Sequence, residues 1–585
     1  MRYIITLCLF LVVAGTFFVF QTSNDPILSD VPKSTLPLRH SINEIDDSQH
    51  PAVVYQEQVD QQIIAVKPAP AHLANNMSSA VEAEPRRAHE YSKLAADMAS
   101  PMLITRSPVG QVLPLDRENY AARNENRFLS VALSPLSTFG LDVDSASYSN
   151  VRRQINQGSV PIPSSVRLEE MVNYFDYHFP APTDGHPLAI MSDYAVAPWN
   201  PNHRLAMIGV KAIDQSSTSD KGARITFLLD TSGSMNSTDK LPLLIRSFQT
   251  LLSNLKPQDQ VAIVTYAGSA GLVLAPTPVT ESDRIYQALS NLTAGGSTAG
   301  GAGIQLAYDV ARKQYDENAT NLVILATDGD FNVGVSGDGE LKSMIEKQRE
   351  SGVFLSIIGM GTGNYQDAKM QILAEAGNGV AHYLDSDSET QRLFGSELMR
   401  TLHIAAKDVK IQVEFNPAAV AQYRLLGYES RVMNTEDFRD DKKDSGEIGV
   451  GHSVVALYEI IPSGIGATPD IERRYQSTRT AGSEAMELAY VKVRYKQPSG
   501  DKGIEFAHAM TTKAKSIETA TADLQWASAV AELSLLLSES DHAGSASLHA
   551  VLARAKGISA KVNDAKRSEF VKLLEQISPR LLAQE

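Results

Sequence analysis

The stretch "ITFLLDTSGSM", Ile225 to Met235, joins a short apolar run to a cluster of oxygens: the carboxylate of Asp230 and the hydroxyls of Thr231, Ser232 and Ser234. The apolar run reads as a buried strand, being short, continuous and rich in large side chains. Beyond it Leu241, Leu244, Ile245, Phe248, Leu251, Leu252 and Leu255 recur at helical spacing, and Pro242 falls in the first turn, where its missing N–H costs nothing. The oxygens therefore lie where a strand hands over to a helix.

The same alternation continues outward from Arg224 to Ala405. Strands are expected at "QVAIVTY", "NLVILAT", "VFLSIIG" and "VAHYL". Between them lie helical patterns over Ile285 to Leu292, Gly303 to Tyr315, Leu341 to Gln348, Met370 to Ala376 and Glu389 to Ile404. Such alternation implies an α/β fold: a doubly wound, mostly parallel sheet, Rossmann-like, with ligands at the carboxyl ends of its strands. Two further segments end at that kind of place. "GGSTAGG" sets Thr298 in a loop before a helix, and "LVILATDGD" sets Asp328 directly after a strand. Asp230, Ser232, Ser234, Thr298 and Asp328 together offer only hard oxygen donors, which suits an octahedral cation such as Mg²⁺ or Mn²⁺.

Other chemistries fit these residues less well. The loop from Asp328 has Val333 and Gly339 where a calcium-binding loop needs Gly and Glu. The glycine-rich loop has Gly301 where a phosphate loop has Lys. Ser232 lacks the G-x-S-x-G elbow of a nucleophile, and His382, His403 and His452 are scattered along the chain. "DVDS" at Asp142 to Ser145 reads equally well as a strand end running into a helix cap. The acidic run Asp437, Asp440, Asp441, Asp444 and Glu447, with His452, is either a solvated turn or a second cation site.

The spacing of Asp230-x-Ser232-x-Ser234, followed by Thr298 and Asp328 on the expected elements, resembles the metal-ion-dependent adhesion site of von Willebrand factor type A (VWA) domains. "DVDSASYSNVRR", "VRLEEMVNYFDY", "DGDFNVG" and "DDKKDSGEIGVGHSVVALYEI" extend the resemblance to bacterial envelope VWA proteins with an N-terminal extension and a C-terminal domain of unknown function. It runs from about Phe128 to Leu574. The resemblance implies a binding module for adhesion or scaffolding whose Mg²⁺ completes its shell with a carboxylate from a protein partner. A metal-assisted hydrolase is the alternative, and it would need a positioned general base that the sequence does not offer.

The remaining chain sets the context. Its 585 residues, 43% hydrophobic, can bury more than one core. The formal charge of -15, without a dense Lys/Arg stretch, argues against nucleic acid as a partner. The single cysteine, Cys8, excludes an intrachain disulfide and a Cys-based zinc site. Arg2 followed by the apolar run Ile4 to Phe20 reads as an export signal, either cleaved or kept as an inner-membrane anchor, with the rest of the chain periplasmic or elsewhere in the envelope. The expected divisions are a signal or anchor over 1–21, a disordered tether over 22–125, an N-terminal VWA-associated domain over 126–222, the VWA domain over 223–406, and a C-terminal domain over 407–585 that is β-rich and then helical. The strands of "VKIQVEF", "SVVALYEI" and "LAYVKVRY" suit a half-exposed antiparallel sheet. Both flanks of the VWA domain being strand-patterned, it is expected to be inserted within one β-rich domain.

Overall fold

Ile225, Phe227 and Leu229 face one side of the strand Ala223–Asp230 and Leu228 faces the other, and all four are buried. A strand covered on both faces reads as a continuous apolar run, which is why this one shows no alternation. The computed structural model describes residues 118–122, 124–141, 143–214, 222–296, 300–329, 338–465, 487–562 and 564–581. Ala223–Asp230 lies inside a six-stranded sheet ordered Ala381–Leu384, Phe354–Met360, Thr320–Thr327, Ala223–Asp230, Gln260–Tyr266, Ala270–Pro278. All neighbours are parallel except the last. The helices Leu241–Asn254 and Ser282–Ser290, with the segment from Asp387 to Leu402, pack one face through Leu244, Phe248, Ile285 and Phe394. Gly300–Lys313, Asp338–Arg349 and Asp367–Ala376 cover the other through Ile304, Tyr308, Ile345 and Met370.

The doubly wound expectation holds for this region. The edge strand Ala270–Pro278 is an addition that the sequence disguises. Pro276 and Pro278 argue against a strand, yet an edge strand needs partners on one side only, and Leu272 and Val273 stand exposed there. Predecessor and successor elements change faces at Ala223–Asp230, so the sheet's switch point lies between this strand and Thr320–Thr327.

The flanks of the α/β domain form two antiparallel sheets, and each takes strands from both sides of the insertion. One is ordered Leu129–Ser130, Val420–Leu426, Ser453–Pro462, Asn200–Ala212, Leu188–Ala197. The other is ordered Val432–Met433, Leu136–Gly140, Ile404–Phe415, Glu487–Lys496, Gly503–Thr511. Their inner faces meet in one core containing Ile208, Tyr458, Phe139, Ile411 and Val493. The chain thus leaves the sandwich after Asn200–Ala212, builds the α/β domain, and re-enters at Ile404.

The expectation of a half-exposed sheet is corrected for Ser453–Pro462. Val454 and Ala456 point into the sandwich, while Val455 and Leu457 pack under a helical layer, so both faces are covered. The unbroken apolar run "VVAL" is the trace of this burial. That layer comprises Ala522–Leu537, Leu548–Ser559 and Ala565–Leu581 together with Ala146–Asn156 and Leu168–Asn173, centred on Trp526, Phe570 and Phe175.

Buried ion pairs join the N-terminal helices to the α/β domain. Arg152 donates to Asp385 at 2.8 Å and to Glu389 at 2.9 Å, and Arg392 reaches Ser145 at 2.8 Å. Arg167 bridges Glu170 and Asp367. The end of the expected tether over 22–125 is instead held in place from Glu118 onward, and residues 22–117 lie outside the described ones. Glu118 pairs with Arg153 at 2.7 Å and accepts from the Gly363 N–H at 3.0 Å, while Tyr120 is buried against the α/β core. Polar residues in paired contacts look like tether in a sequence. No helix among the described residues is long and apolar enough to cross a membrane, and the run Ile4 to Phe20 lies outside them.

Candidate metal centre

Asp230 is the last residue of its strand, and Leu229 pairs in register with Ala326 on the neighbouring strand. Asp230 and Asp328 consequently emerge side by side at the carboxyl edge, at the switch point where such sheets place ligands. Asp230 is fully buried. Its Oδ1 accepts from the Ser232 N–H at 2.8 Å, and its Oδ2 accepts from the Tyr266 hydroxyl and the Thr327 hydroxyl at 3.0 Å each. Burial pushes the Asp230 carboxyl above its ordinary range, the Ser232 bonds oppose this, and the charge of Asp328 adds to it.

The two serines of the motif lie together. Ser232 Oγ and Ser234 Oγ are 3.1 Å apart, Ser232 buried and Ser234 exposed. Ser234 also bonds Asp328. The loop that carries them is tied to the glycine-rich loop by backbone bonds, Gly233 N–H to the Gly296 carbonyl at 3.1 Å and Gly295 N–H to the Thr231 carbonyl at 2.7 Å. Thr298 lies outside the described residues. Four of the five expected residues are thus brought to one place, and the loop that leads to the fifth is fastened to it.

Four more groups belong to this site. Tyr266 and Thr327 hold Asp230. Lys240 Nζ donates to Asp328 Oδ2 at 2.9 Å and lies 3.4 Å from the Asn364 side-chain oxygen. Burial alone would raise the Asp328 carboxyl, but the hydrogen bond and charge of Lys240, with the bonds of Ser234 and Asn364, outweigh it and hold the group below its ordinary range. The Lys240 stem runs across Gly361, where an added Cβ would overlap Lys240 Cε. Helix Gly300–Lys313 also approaches closely at Gly303, where an added Cβ would stand 2.9 Å from Tyr266 Cβ. A sequence signal existed for Thr327, adjacent to Asp328, but none for Tyr266 or Asn364. Lys240 reads only as the residue opening a helix.

The donor set fits a hard divalent cation. Two ligands adjacent on an octahedron at 2.0–2.1 Å are separated by about 2.9 Å, close to the 3.1 Å between the serine hydroxyls. Among the described residues no group of three or more His, Cys, Asp or Glu converges, so this centre relies on two carboxylates and neutral oxygens.

The other sequence candidates separate. Asp437 caps its own turn at Asn434, Asp441 pairs with Arg494 at 2.7 Å, and Asp444 lies 3.8 Å from both Lys496 and Arg349. Glu447 is pushed up to about 8 by burial, and His452 faces Glu397 at 3.3 Å. Asp441 and Asp444 turn to basic partners and Asp437 to Asn434, and among the described residues these carboxylates do not converge on one cation position. In "DVDS", Asp144 accepts from the Ala381 N–H at 2.8 Å and Ser145 takes Arg392, so the motif clasps the two domains instead of capping a helix; Asp142 lies outside the described residues.

Over residues 225–396 the chain matches the von Willebrand factor type A domain family. Residues 400–579 match the family described as "Uncharacterized protein YfbK, C-terminal", and residues 114–207 match one described as "von Willebrand factor". The chain is 40% identical over 466 residues to the uncharacterized protein YfbK of Escherichia coli (strain K12), covering 78% of this chain and 80% of that one. The chain belongs to the YfbK family of VWA-domain proteins. Among solved structures, a von Willebrand factor type A protein from Catenulispora acidiphila aligns over 68% of this chain and 91% of its own, at 16% identity and a TM-score of 0.38. The conserved hypothetical protein BatB from Bacteroides thetaiotaomicron aligns over 30% of this chain and 96% of its own, at 20% identity and a TM-score of 0.26. The VWA match supports the broad class of protein-interaction or adhesion module.

Proposed function

We propose that the chain is a non-enzymatic, metal-ion-dependent protein-binding module of the bacterial cell envelope. Asp230, Ser232, Ser234, Thr298 and Asp328 would hold Mg²⁺ or Mn²⁺, and a carboxylate from a partner protein would complete the shell. The observation that carries this reading is the placement of the Ser232 and Ser234 hydroxyls 3.1 Å apart beside two carboxylates at the switch point of the sheet. Ser234, on the exposed side, is the group nearest to an arriving partner. The bound ion would supply a Lewis-acidic position that an acidic side chain can occupy.

The chain's own residues prepare that position. Tyr266 and Thr327 fix Asp230, and the backbone bonds between the two loops fix the serines, so little ordering remains when an ion arrives. Hydrolysis would need a general base in reach of Ser232 or of a bound water. Among the described residues His382 is buried in the strand Ala381–Leu384 and His452 is paired with Glu397, so neither serves. The apolar run Ile4 to Phe20 supports placement in the envelope, anchored in the inner membrane or released into the periplasm.

The test is capture of partners by crosslinking from envelope extracts, with Mg²⁺ present and with chelator. The same bands should appear with wild type and Mg²⁺, and vanish with chelator or in Asp230→Asn. Bands that persist under chelator would refute metal-dependent adhesion.

A further inference from the structure

Lys240 stands out because buried ammonium groups are rare and need a partner. Its side chain is buried, its stem is laid over Gly361 at φ +76, and its charge ends on Asp328, one of the two carboxylates of the metal centre. The fit at Gly361 shows a built position: any side chain there would overlap the Lys240 methylenes. Two carboxylates against one ammonium leave the centre with a single negative charge. Without Lys240, a divalent ion would be fully neutralised by Asp230 and Asp328. With it, the loaded centre keeps one positive charge, which a single partner carboxylate can neutralise.

We propose that Lys240 is a resident counter-cation of the metal centre, stabilising Asp328 when no metal is bound and lowering metal affinity so that the loaded site stays positive toward an acidic partner. This rests on the metal reading given above. Lys240 touches Asp328 and acts through it, as a positioning and charge-setting residue. A divalent ion held by the same carboxylate lies within about 5 Å of the ammonium, and the repulsion corresponds to roughly tenfold in affinity even when screened as in bulk water.

The experiment uses the full chain, with Mn²⁺ alone as the probe. In chelator, Lys240→Met should unfold at a lower temperature than wild type, since buried Asp328 loses the ammonium that balances its charge. Adding Asp328→Asn to Lys240→Met should recover most of that loss. By calorimetry Lys240→Met should bind Mn²⁺ about tenfold more tightly or better, and Lys240→Arg, which keeps the charge, should stay near wild type. An unchanged unfolding temperature in chelator, or an unchanged or weaker Mn²⁺ affinity in a folded Lys240→Met, overturns the proposal. If Lys240→Met fails to fold in chelator, the double variant must fold and Lys240→Arg must retain wild-type affinity; failure of either also overturns it. Absence of Mn²⁺ binding by every protein, wild type included, defeats the metal reading and the competition with it, whereas the chelator comparison independently tests the counter-cation role.

Discussion

Replacing Arg152 by Met should loosen the α/β domain from the layer of helices that clasps it. Arg152 is 2% exposed and binds Asp385, Glu389, Tyr174 and Glu569 at once. Glu389 keeps Arg392 in the variant, and Asp385 keeps the Ser386 hydroxyl at 2.9 Å but no cation from this cluster. A buried carboxylate deprived of its cation costs about 3–5 kcal/mol, against about 1 kcal/mol or less for a pair on the surface. The loss should therefore appear in the first urea transition as about 3–5 kcal/mol, and as faster amide exchange over Asp387–Arg392. Asp385→Asn in the Arg152→Met background should restore part of the stability by removing the stranded charge. Acid should act in the same direction on wild type. Burial alone raises the Glu389 carboxyl, and Arg392 and Arg152 outweigh it to leave the group below its ordinary range. Its contribution is then present above pH 4.5 and lost as the pH falls toward the folded value. A loss in Arg152→Met below about 1 kcal/mol would refute the claim that this seam holds the domains together.

Two further outcomes follow from single positions. His382 is buried with both ring nitrogens unpartnered, and burial, assisted by Arg392 and His452 against Glu397 and Glu389, lowers it from 6.5 to about 4. The unfolded chain therefore takes up a proton that the folded one refuses, so stability should fall by roughly 3 kcal/mol as pH drops from 6.5 to about 4. His382→Phe should flatten this window in urea titrations, and an unchanged slope would contradict the assignment. Gly361→Ala sets a Cβ against the Lys240 stem at a backbone φ of +76, and should cost about 1–3 kcal/mol while displacing Lys240 from Asp328. Thermal unfolding at the wild-type temperature would show that the stem can move aside.

How far the sequence carries depends on what each residue is asked to do. The alternating region was legible because its strands are buried on both faces and its helices keep an apolar stripe, as Leu244, Phe248 and Leu251 do. The carboxylates and serines were legible through spacing, since adjacent parallel strands bring Asp230 and Asp328 to one edge. Lys240 and Asn364 were not, because their place depends on how two loops cross at Gly361, which no local pattern encodes. Tyr266 was hidden in an apolar strand whose last residue turns its hydroxyl to Asp230. The packing of the segment at Glu118 was hidden for a related reason: an ion pair with Arg153, distant in sequence, holds a segment that is polar by composition. The exchange of strands between the two flanking sheets was legible only as one shared β-rich domain, because pairing order is a long-range property.

The central claim is that Asp230 belongs to a divalent-cation site, and calorimetric titration of Mg²⁺ into wild type, Asp230→Asn and Ser232→Ala tests it most directly. Asparagine keeps the shape beside Tyr266 and Thr327, so a lost signal reports the charge and not a collapsed loop. Wild type should bind one ion, Asp230→Asn should lose at least roughly 100-fold in affinity, and Ser232→Ala should lose less, since water can replace one neutral ligand. Equal affinities for wild type and Asp230→Asn would contradict the account.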